Sequence, residues 1–234
     1  MQRDELPERL AQVHLAIAQA AERSGRPASA IRLVAVSKTI TADVVRQAVV
    51  AGVTDIGENR VQEAQEKIPA LSDLAVRWHL IGHLQSNKVS KALHLFDIVQ
   101  SVDSVELATL LSRRAATRPE PLDILYEINV GGEASKQGFT PEQLAAAAPT
   151  LAVLPGLRSL GLMTVAPAVS DPQDARPVFR QLRQLRDRLA DSFGATFQEL
   201  SMGMSHDFAV AVEEGATLVR IGTAIFGRRE SRPL

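Results

Sequence analysis

A short apolar run followed by a helical pattern recurs along the whole sequence, and this alternation constrains the fold most. Eight such runs occur, with the sequences RLVAVSK, TDIGEN, RWHLIGH, DIVQSV, LDILYEINV, GLRSLGLMTV, TFQELSMG and LVRIGTAIFG, and a helical segment follows each but the last. Strands that alternate with helices pair in parallel through right-handed crossovers. Eight such units close into a barrel, whereas open doubly wound sheets usually stop at about five or six strands. We predict an α/β fold, a single (β/α)8 barrel of the TIM type.

An additional helix precedes the first strand. Its apolar residues Leu6, Leu10, Val13, Ile17 and Ala20 recur at alternating spacings of four and three and therefore line one face. No linker, low-complexity segment or change in composition divides the sequence after this helix. We therefore predict that residues 1–234 form one barrel domain with an extra N-terminal helix.

The charge balance and the residue types exclude several classes of function. Lys and Arg number 26 against 27 Asp and Glu, and the net charge of −1 argues against a broad nucleic-acid or anionic-membrane surface. The sequence has no cysteine, which excludes disulfides, zinc–thiolate sites, iron–sulfur clusters and thiol nucleophiles. The N-terminus is charged where a signal peptide is apolar, and no apolar run approaches the ~18 residues of a membrane span. We expect a cytoplasmic protein without nucleic-acid or membrane partners.

Polar and glycine residues collect where the predicted strands end, which is the active face of such a barrel. They are Lys38, Asn59, His83, Ser101, Asn129, Met163-Thr164, Ser201 to Ser205, and Gly222-Thr223. Lys38 is the only lysine that directly ends an apolar core strand. Burial disfavours the ammonium form of an amine, and a neutral amine is the nucleophile that forms a Schiff base with an aldehyde. The residues alone leave open the alternative that Lys38 simply caps its strand in solvent.

The last two loops have features of a phosphate site. The segment from Gly203 to Asp207 leads directly into a helix, and Gly222 interrupts the last apolar run. Barrels often bind phosphate at the loops after strands 7 and 8, where backbone N–H groups face the anion and glycine permits close approach. A tight bend in the strand is the alternative explanation for Gly222. A Schiff-base lysine after strand 1 and a phosphate site after strands 7 and 8 together suit pyridoxal 5′-phosphate.

Eight segments in order along the sequence carry a resemblance to one known family. They are LVAVSKT, DIGENRVQE, WHLIGHLQSNK, SVDS, INVGGEASKQGF, GLMTV, LSMGMSHDF and LVRIGTAIFG. On these segments the sequence resembles the pyridoxal phosphate homeostasis proteins along nearly its whole length. The resemblance implies the barrel fold of the alanine racemase N-terminal domain, and the binding of pyridoxal phosphate without a demonstrated reaction.

The resemblance also implies roles for individual residues. Lys38 in AVSKT resembles the lysine that holds the cofactor covalently, and Asn59 in GEN resembles a polar contact near the ring. Ser205 in GMS, with Gly222 and Thr223 in RIGT, is similar to the phosphate site of the family. Arg220 in the same motif resembles the arginine that faces the pyridine nitrogen.

Two other interpretations of polar residues are disfavoured. Ser205-His206-Asp207 contains the residue types of a hydrolase triad, but a triad needs partners from separate segments. His79 and His83 would share a metal ion only on a helix, because on the predicted strand they lie ~13 Å apart. We interpret both histidines as structural and predict no metal site.

A racemase or decarboxylase on the same barrel is the alternative function. Such enzymes need an acid or base opposite the lysine. In racemases of this fold it is a tyrosine from a second domain of the partner subunit, and related decarboxylases use a cysteine. The only tyrosine, Tyr126, lies in an apolar run and is predicted to be packed there. Arg220 cannot deprotonate, so it would donate a hydrogen bond to the ring nitrogen, which leaves the ring a poorer electron sink.

We therefore predict a non-enzymatic protein that stores, buffers or delivers pyridoxal phosphate. Apo enzymes that use this cofactor are the candidate recipients. A monomer is expected, since the racemase dimer contact involves the second domain.

Overall fold

The computed structural model describes residues 5–133 and 136–227. Within these ranges, eight strands form a closed barrel in the order of the sequence, which confirms the predicted (β/α)8 architecture. The strands are β1 Arg32–Val36, β2 Asp55–Glu58, β3 Arg77–Leu80, β4 Ile98–Val102, β5 Leu122–Glu127, β6 Leu157–Met163, β7 Glu199–Ser201 and β8 Leu218–Ile221. The prediction of one domain over residues 1–234 also covers positions outside the described residues.

Nine α-helices occur in the described part of the chain. They are α1 Glu5–Arg23, α2 Ala42–Val50, α3 Val61–Lys67, α4 Val89–Leu95, α5 Val105–Ala115, α6 Pro141–Leu151, α7 Arg176–Phe193, α8 Phe208–Glu213 and α9 Thr223–Phe226. The extra N-terminal helix is confirmed as α1. Its predicted apolar face is buried, and the helix contacts α8 and α9. None of the helices in these ranges is long and apolar enough to cross a membrane.

All neighbouring strands pair in parallel, and β1 pairs with both β2 and β8 to close the ring. The strands are buried on both faces, because the helices cover their outer face and the barrel interior covers the other, which accounts for the high apolar content of runs such as that of β1. Since the strands run in one direction, their carboxyl ends meet at one end of the barrel. We call this end, formed by the residues that follow the eight strands, the mouth.

The last apolar run differs from its prediction. The sequence predicts one strand over LVRIGTAIFG, and this is wrong, because β8 ends at Ile221 and α9 follows. The amides of Ile225 and Phe226 donate to the carbonyl of Gly222 at 3.0 and 2.9 Å, which closes a helical turn. Short apolar runs are compatible with either a strand or a buried helix. The eighth strand is therefore also followed by a helix, which lies beside the mouth.

Candidate cofactor-binding site

Lys38 lies on a tight turn at the mouth, immediately after β1. The amide of Ile40 donates to the carbonyl of Ser37 at 2.9 Å, so Lys38 and Thr39 are the two central residues of the turn. Thr39 has a φ of 64°, a left-handed conformation that is costly for a β-branched residue. Its amide donates to the Glu63 carboxylate at 3.0 Å, which helps to hold this conformation. The turn presents the half-buried Lys38 at the rim of the barrel.

A buried ionic cluster fixes the strand end that precedes this turn. The Ser37 hydroxyl donates to Glu58 Oε1 at 2.5 Å, and the Lys67 ammonium donates to the Ser37 carbonyl at 2.7 Å and pairs with the same carboxylate. Burial raises the pKa of the Glu58 carboxyl, and the hydrogen bonds from Lys67 and Ser37 oppose that rise. The cluster thereby ties the ends of β1 and β2 to α3.

Removing the cation from this cluster is expected to destabilise the fold. In Lys67→Met the buried Glu58 carboxylate loses its counter-charge, and we expect the free energy of unfolding at neutral pH to fall by about 3 kcal/mol. A carboxyl with a raised pKa in the folded state contributes most stability below its unfolded pKa, and loses that contribution as pH rises through the folded pKa. The deficit should therefore be larger at about pH 8 than at about pH 5, as measured by denaturant unfolding. Glu58→Gln/Lys67→Met is the control, and a deficit as large as that of Lys67→Met would contradict the explanation.

Asn59 lies beside Lys38 at the mouth. Val36 of β1 is opposite Gly57 of β2, so Lys38 and Asn59, each two residues further on, end their strands at the same level. Gly82, which follows β3, packs directly on Asn59, because a Cβ at Gly82 would lie 2.3 Å from the Asn59 carbonyl oxygen. The loops after the first three strands are thus held in close contact.

The loops after β7 and β8 meet each other at the mouth. The amide of Ala224 donates to Ser205 Oγ at 3.3 Å, so Ser205 lies against the first turn of α9, next to Gly222 and Thr223. Gly203 has a φ of 91°, and a Cβ there would lie 2.5 Å from the Ala211 Cβ, so the turn into α8 requires glycine. Because β8 also pairs with β1, these loops are neighbours of the turn after β1.

Arg220 lies inside the barrel, with only 4% of its surface exposed. Its guanidinium donates to Ser201 Oγ at 2.7 Å and to the Thr164 carbonyl at 2.8 Å, and both partners are neutral. Burial lowers the pKa of Arg220 to about 10, although the charges of Glu127 and Asp207 act in the opposite direction. Arg220 is therefore a buried cation that keeps its proton at neutral pH.

The sequence analysis missed Glu127, the last residue of β5. Burial raises the pKa of this carboxyl, and the nearby Asp103 raises it further, whereas the charges of Arg220 and His83 lower it. The residue predicted from this segment, Asn129, lies beyond the end of the strand, where its side-chain amide donates to the Glu133 carbonyl at 2.8 Å. The apolar run LDILYEINV extends past the end of β5, and for that reason the sequence analysis did not recognise Glu127 as the last polar residue of the strand.

The two histidines have different environments. His79 is wholly buried, with its ring nitrogens 2.9 Å from Asp55 Oδ1 and 2.8 Å from Gln100 Nε2, which confirms a structural role. His83 lies at the mouth, where its side chain is 47% exposed and 3.1 Å from the Asp103 carboxylate, and its structural interpretation stays a prediction. Over residues 5–133 and 136–227, no group of three His, Asp or Glu residues could hold a metal ion.

Three further residues with hydroxyl groups have structural roles. The Ser101 and Thr164 hydroxyls donate to backbone carbonyls, those of Gly82 and Ile128, each at 2.7 Å. Tyr126 is wholly buried among aromatic rings, as predicted, and burial raises its pKa to about 12.

Comparison with known proteins first shows the general class of protein to which this barrel belongs. The family described as "Alanine racemase, N-terminal domain" matches residues 9–230. At a finer level, the chain is 45% identical over 223 residues to the pyridoxal phosphate homeostasis protein of Aquifex aeolicus, over 95% of this chain and 98% of that protein. It is 39% identical over 230 residues to the Escherichia coli (strain K12) protein of the same name, over 97% and 98%. The chain belongs to the family of the pyridoxal phosphate homeostasis proteins, which confirms the resemblance.

Solved structures agree with this placement. The structure of PipY from Synechococcus elongatus with pyridoxal phosphate bound has a TM-score of 0.83 and 39% identity, covering 95% of this chain and all of that chain. Alanine racemase from Corynebacterium glutamicum has a TM-score of 0.70 at 17% identity, which shows a common fold alone, and the match spans 62% of the racemase chain.

Proposed function

We propose that this protein binds pyridoxal 5′-phosphate and serves in its homeostasis by storing, buffering or delivering it. One observation carries the proposal: the Lys38 turn, Asn59 and the loops of Ser205 and Thr223 surround a single mouth whose interior contains a buried arginine. PipY, at 39% identity, has a structure with this cofactor bound. The Aquifex aeolicus relative is named for the homeostasis of the cofactor.

The residues at the mouth fit the chemical groups of the cofactor. Bound pyridoxal phosphate supplies an aldehyde, a ring nitrogen with a lone pair and a phosphate anion. We assign the Lys38 amine to the aldehyde, and Ser205 with the backbone amides at Gly222 and Thr223 to the phosphate. Arg220 is assigned to the ring nitrogen, with Asn59 as a polar contact near the ring. A buried cation with neutral direct partners is costly, and an acceptor supplied by the ligand would reduce that cost.

Several features support binding without a dedicated reaction. Arg220 keeps its proton, since its pKa of about 10 is well above neutral pH, and it can only donate a hydrogen bond to a ring nitrogen. A ring nitrogen without its own proton makes the cofactor a poorer electron sink. Tyr126 is packed among aromatic rings and the sequence has no cysteine, so neither type of racemase or decarboxylase acid is supplied by the described residues.

Delivery to other proteins completes the proposal. The Lys38 turn is partly exposed, and the side chain of His83 at the rim is half-exposed, so a bound cofactor would remain within reach of solvent. Apo enzymes that depend on pyridoxal phosphate are the proposed recipients, and the cytoplasm is the proposed location. The monomeric state stays a prediction.

An isotope-exchange experiment tests the proposal. The purified protein is loaded with pyridoxal phosphate, loading is followed by visible absorption, and L-alanine is added in deuterated buffer. We expect a change in the absorption as the amino acid displaces the Lys38 amine. Loss of the α-proton signal in NMR should be far slower than the ~1 per second of a typical enzyme.

Two variants make the result interpretable. Lys38→Ala should abolish whatever slow exchange the wild-type protein shows, because the exchange requires the lysine amine. Exchange at an enzymatic rate would contradict the non-enzymatic proposal. In that case Glu127→Gln tests the proton-transfer group, since Glu127 is a partly buried carboxyl at the end of β5 with a raised pKa. Failure of the wild-type protein to bind the cofactor would contradict the proposal as a whole.

A further inference from the structure

The interior of this barrel is polar where barrels of this type are usually filled by branched apolar side chains. Five polar residues from five strands lie inside it, and each is at most 4% exposed. They are Asp55 on β2, His79 on β3, Gln100 on β4, Ser201 on β7 and Arg220 on β8. We call the first four, with the hydrogen bonds that join them to one another and join Ser201 to Arg220, the interior network.

Hydrogen bonds connect these residues in one continuous series. Arg220 Nη1 lies 2.7 Å from Ser201 Oγ, which lies 2.6 Å from Gln100 Oε1. β4 and β7 are not neighbours, so this second bond crosses the barrel interior. Gln100 Nε2 lies 2.8 Å from His79 Nδ1, and His79 Nε2 lies 2.9 Å from Asp55 Oδ1. The series ends on a carboxylate at the first residue of β2, at the opposite end of the barrel from the mouth.

The chemistry of the groups gives the series a single direction. A guanidinium only donates, so the Ser201 hydroxyl accepts from Arg220 and directs its own proton to Gln100 Oε1. The amide nitrogen of Gln100 then faces His79 Nδ1, which must accept. The His79 proton is therefore on Nε2, where it is donated to Asp55. Every bond points from Arg220 towards the carboxylate, and bonds aligned in this way polarise one another.

We infer that Asp55, His79, Gln100 and Ser201 are positioning residues that fix Arg220 as a hydrogen-bond donor and set the protein's preference for a ligand ring that carries a nitrogen acceptor. The inference rests on the proposed function, which assigns Arg220 to the cofactor ring. The network and the Thr164 carbonyl engage two of the five guanidinium N–H groups and fix the plane of the others. The Asp55 carboxylate is the final acceptor of the aligned bonds and so orients them away from a cation whose direct partners are neutral.

Preorganisation explains why these distant residues affect binding. A guanidinium that is already held in one orientation loses little conformational freedom when a ligand arrives. A ring nitrogen then receives a well-directed bond, whereas a ring with a C–H at that position leaves a buried donor without an acceptor. Without the network, Arg220 is free to turn towards other acceptors, and the difference between the two rings decreases.

The test compares pyridoxal phosphate with 1-deazapyridoxal phosphate, which has the same aldehyde and phosphate and a C–H in place of the ring nitrogen. We expect the wild-type protein to bind pyridoxal phosphate at least about tenfold more tightly than the analogue. Gln100→Leu interrupts the network at its centre and should reduce this ratio to about threefold or less. Asp55→Asn keeps the shape and an acceptor for His79 but removes the charge, and should give an intermediate ratio.

Asp123→Asn is the matched control. Asp123 is another carboxylate near the start of its strand, as the second residue of β5, and is 9% exposed. Arg77 lies within 4.0 Å of both Asp123 and Asp55. It pairs with Arg158 and not with the network, so its substitution should leave the ratio of the two affinities unchanged. The nitrogen-15 spectrum of His79 should show the proton on Nε2, and a proton on Nδ1 would overturn the direction of the series.

Each outcome separates this inference from the proposed function. If Gln100→Leu and Asp55→Asn leave the ratio of the two affinities unchanged, with or without an equal loss of affinity for both ligands, the network has no effect on the preference for a ring nitrogen. That result would overturn the inference. If Gln100→Leu does not fold, as judged by circular dichroism, the isosteric Asp55→Asn decides the question alone. Failure of the wild-type protein to bind pyridoxal phosphate would instead overturn the proposed function.

Discussion

Borohydride reduction of the protein loaded with pyridoxal phosphate should fix the cofactor on Lys38, and Lys38→Ala should lose this covalent adduct completely. Lys38 is placed at the mouth by a turn that the Ile40–Ser37 hydrogen bond closes and that the hydrogen bond from the Thr39 amide to Glu63 holds, although Thr39 has a φ of 64°. Peptide mass mapping after reduction gives the position of the adduct. The free energy of unfolding should change by less than about 1 kcal/mol in Lys38→Ala, because a residue at the rim contributes little to the core.

The other lysines provide the controls for this experiment. Lys67 is buried and paired with Glu58, so it should remain unmodified while the protein is folded. Lys88 is half-buried like Lys38 but precedes α4, and Lys88→Ala should retain the full adduct. An adduct found mainly on Lys88, Lys91 or Lys136 would show that the assignment of Lys38 is wrong.

The barrel was predictable from the sequence because burial dictates its pattern. Parallel strands covered on both faces become short apolar runs, and the helices between them keep one apolar face, as the buried face of α1 shows. The error fell at the end of β8, where Gly222 is followed by apolar residues that suit a strand or a buried helix equally. Sequence periodicity over four residues, the length of α9, cannot distinguish the two.

The candidate site was predictable only in part. Lys38 follows β1 by two residues and Asn59 directly follows β2, and for that reason their position at the mouth could be inferred from the sequence. Glu127 escaped notice because the apolar run continues beyond the true end of β5. The interior network was also invisible, since Gln100 and Ser201 are 101 residues apart and their bond depends on the diameter and register of the closed barrel. Such contacts are set by tertiary geometry and leave no local pattern.

Pyridoxal, which lacks the phosphate, should bind about a thousandfold more weakly than pyridoxal phosphate. The proposed phosphate site combines the Ser205 hydroxyl with backbone amides at Gly222 and Thr223, and hydrogen bonds to a charged group contribute roughly 1.5–3 kcal/mol each. Three such bonds at the lower end of this range account for the expected factor. Ser205 Oγ already accepts from the amide of Ala224, so its own proton is left to donate to the anion.

Ser205→Ala should therefore weaken the binding of pyridoxal phosphate by about tenfold and leave the binding of pyridoxal nearly unchanged, as measured by equilibrium titration of each ligand. Ser104→Ala is the matched control, because the Ser104 hydroxyl also accepts from a backbone amide in the first turn of a helix, that of Leu107, at the same 3.3 Å. Ser104 follows β4 and caps α5, away from the loops after β7 and β8, so its substitution should affect stability but not the ratio of the two affinities. Equal affinities of the wild-type protein for the two ligands would exclude a phosphate site at these loops. A Ser205→Ala variant that loses affinity for both ligands equally would show that the hydroxyl supports the loop and does not contact the phosphate.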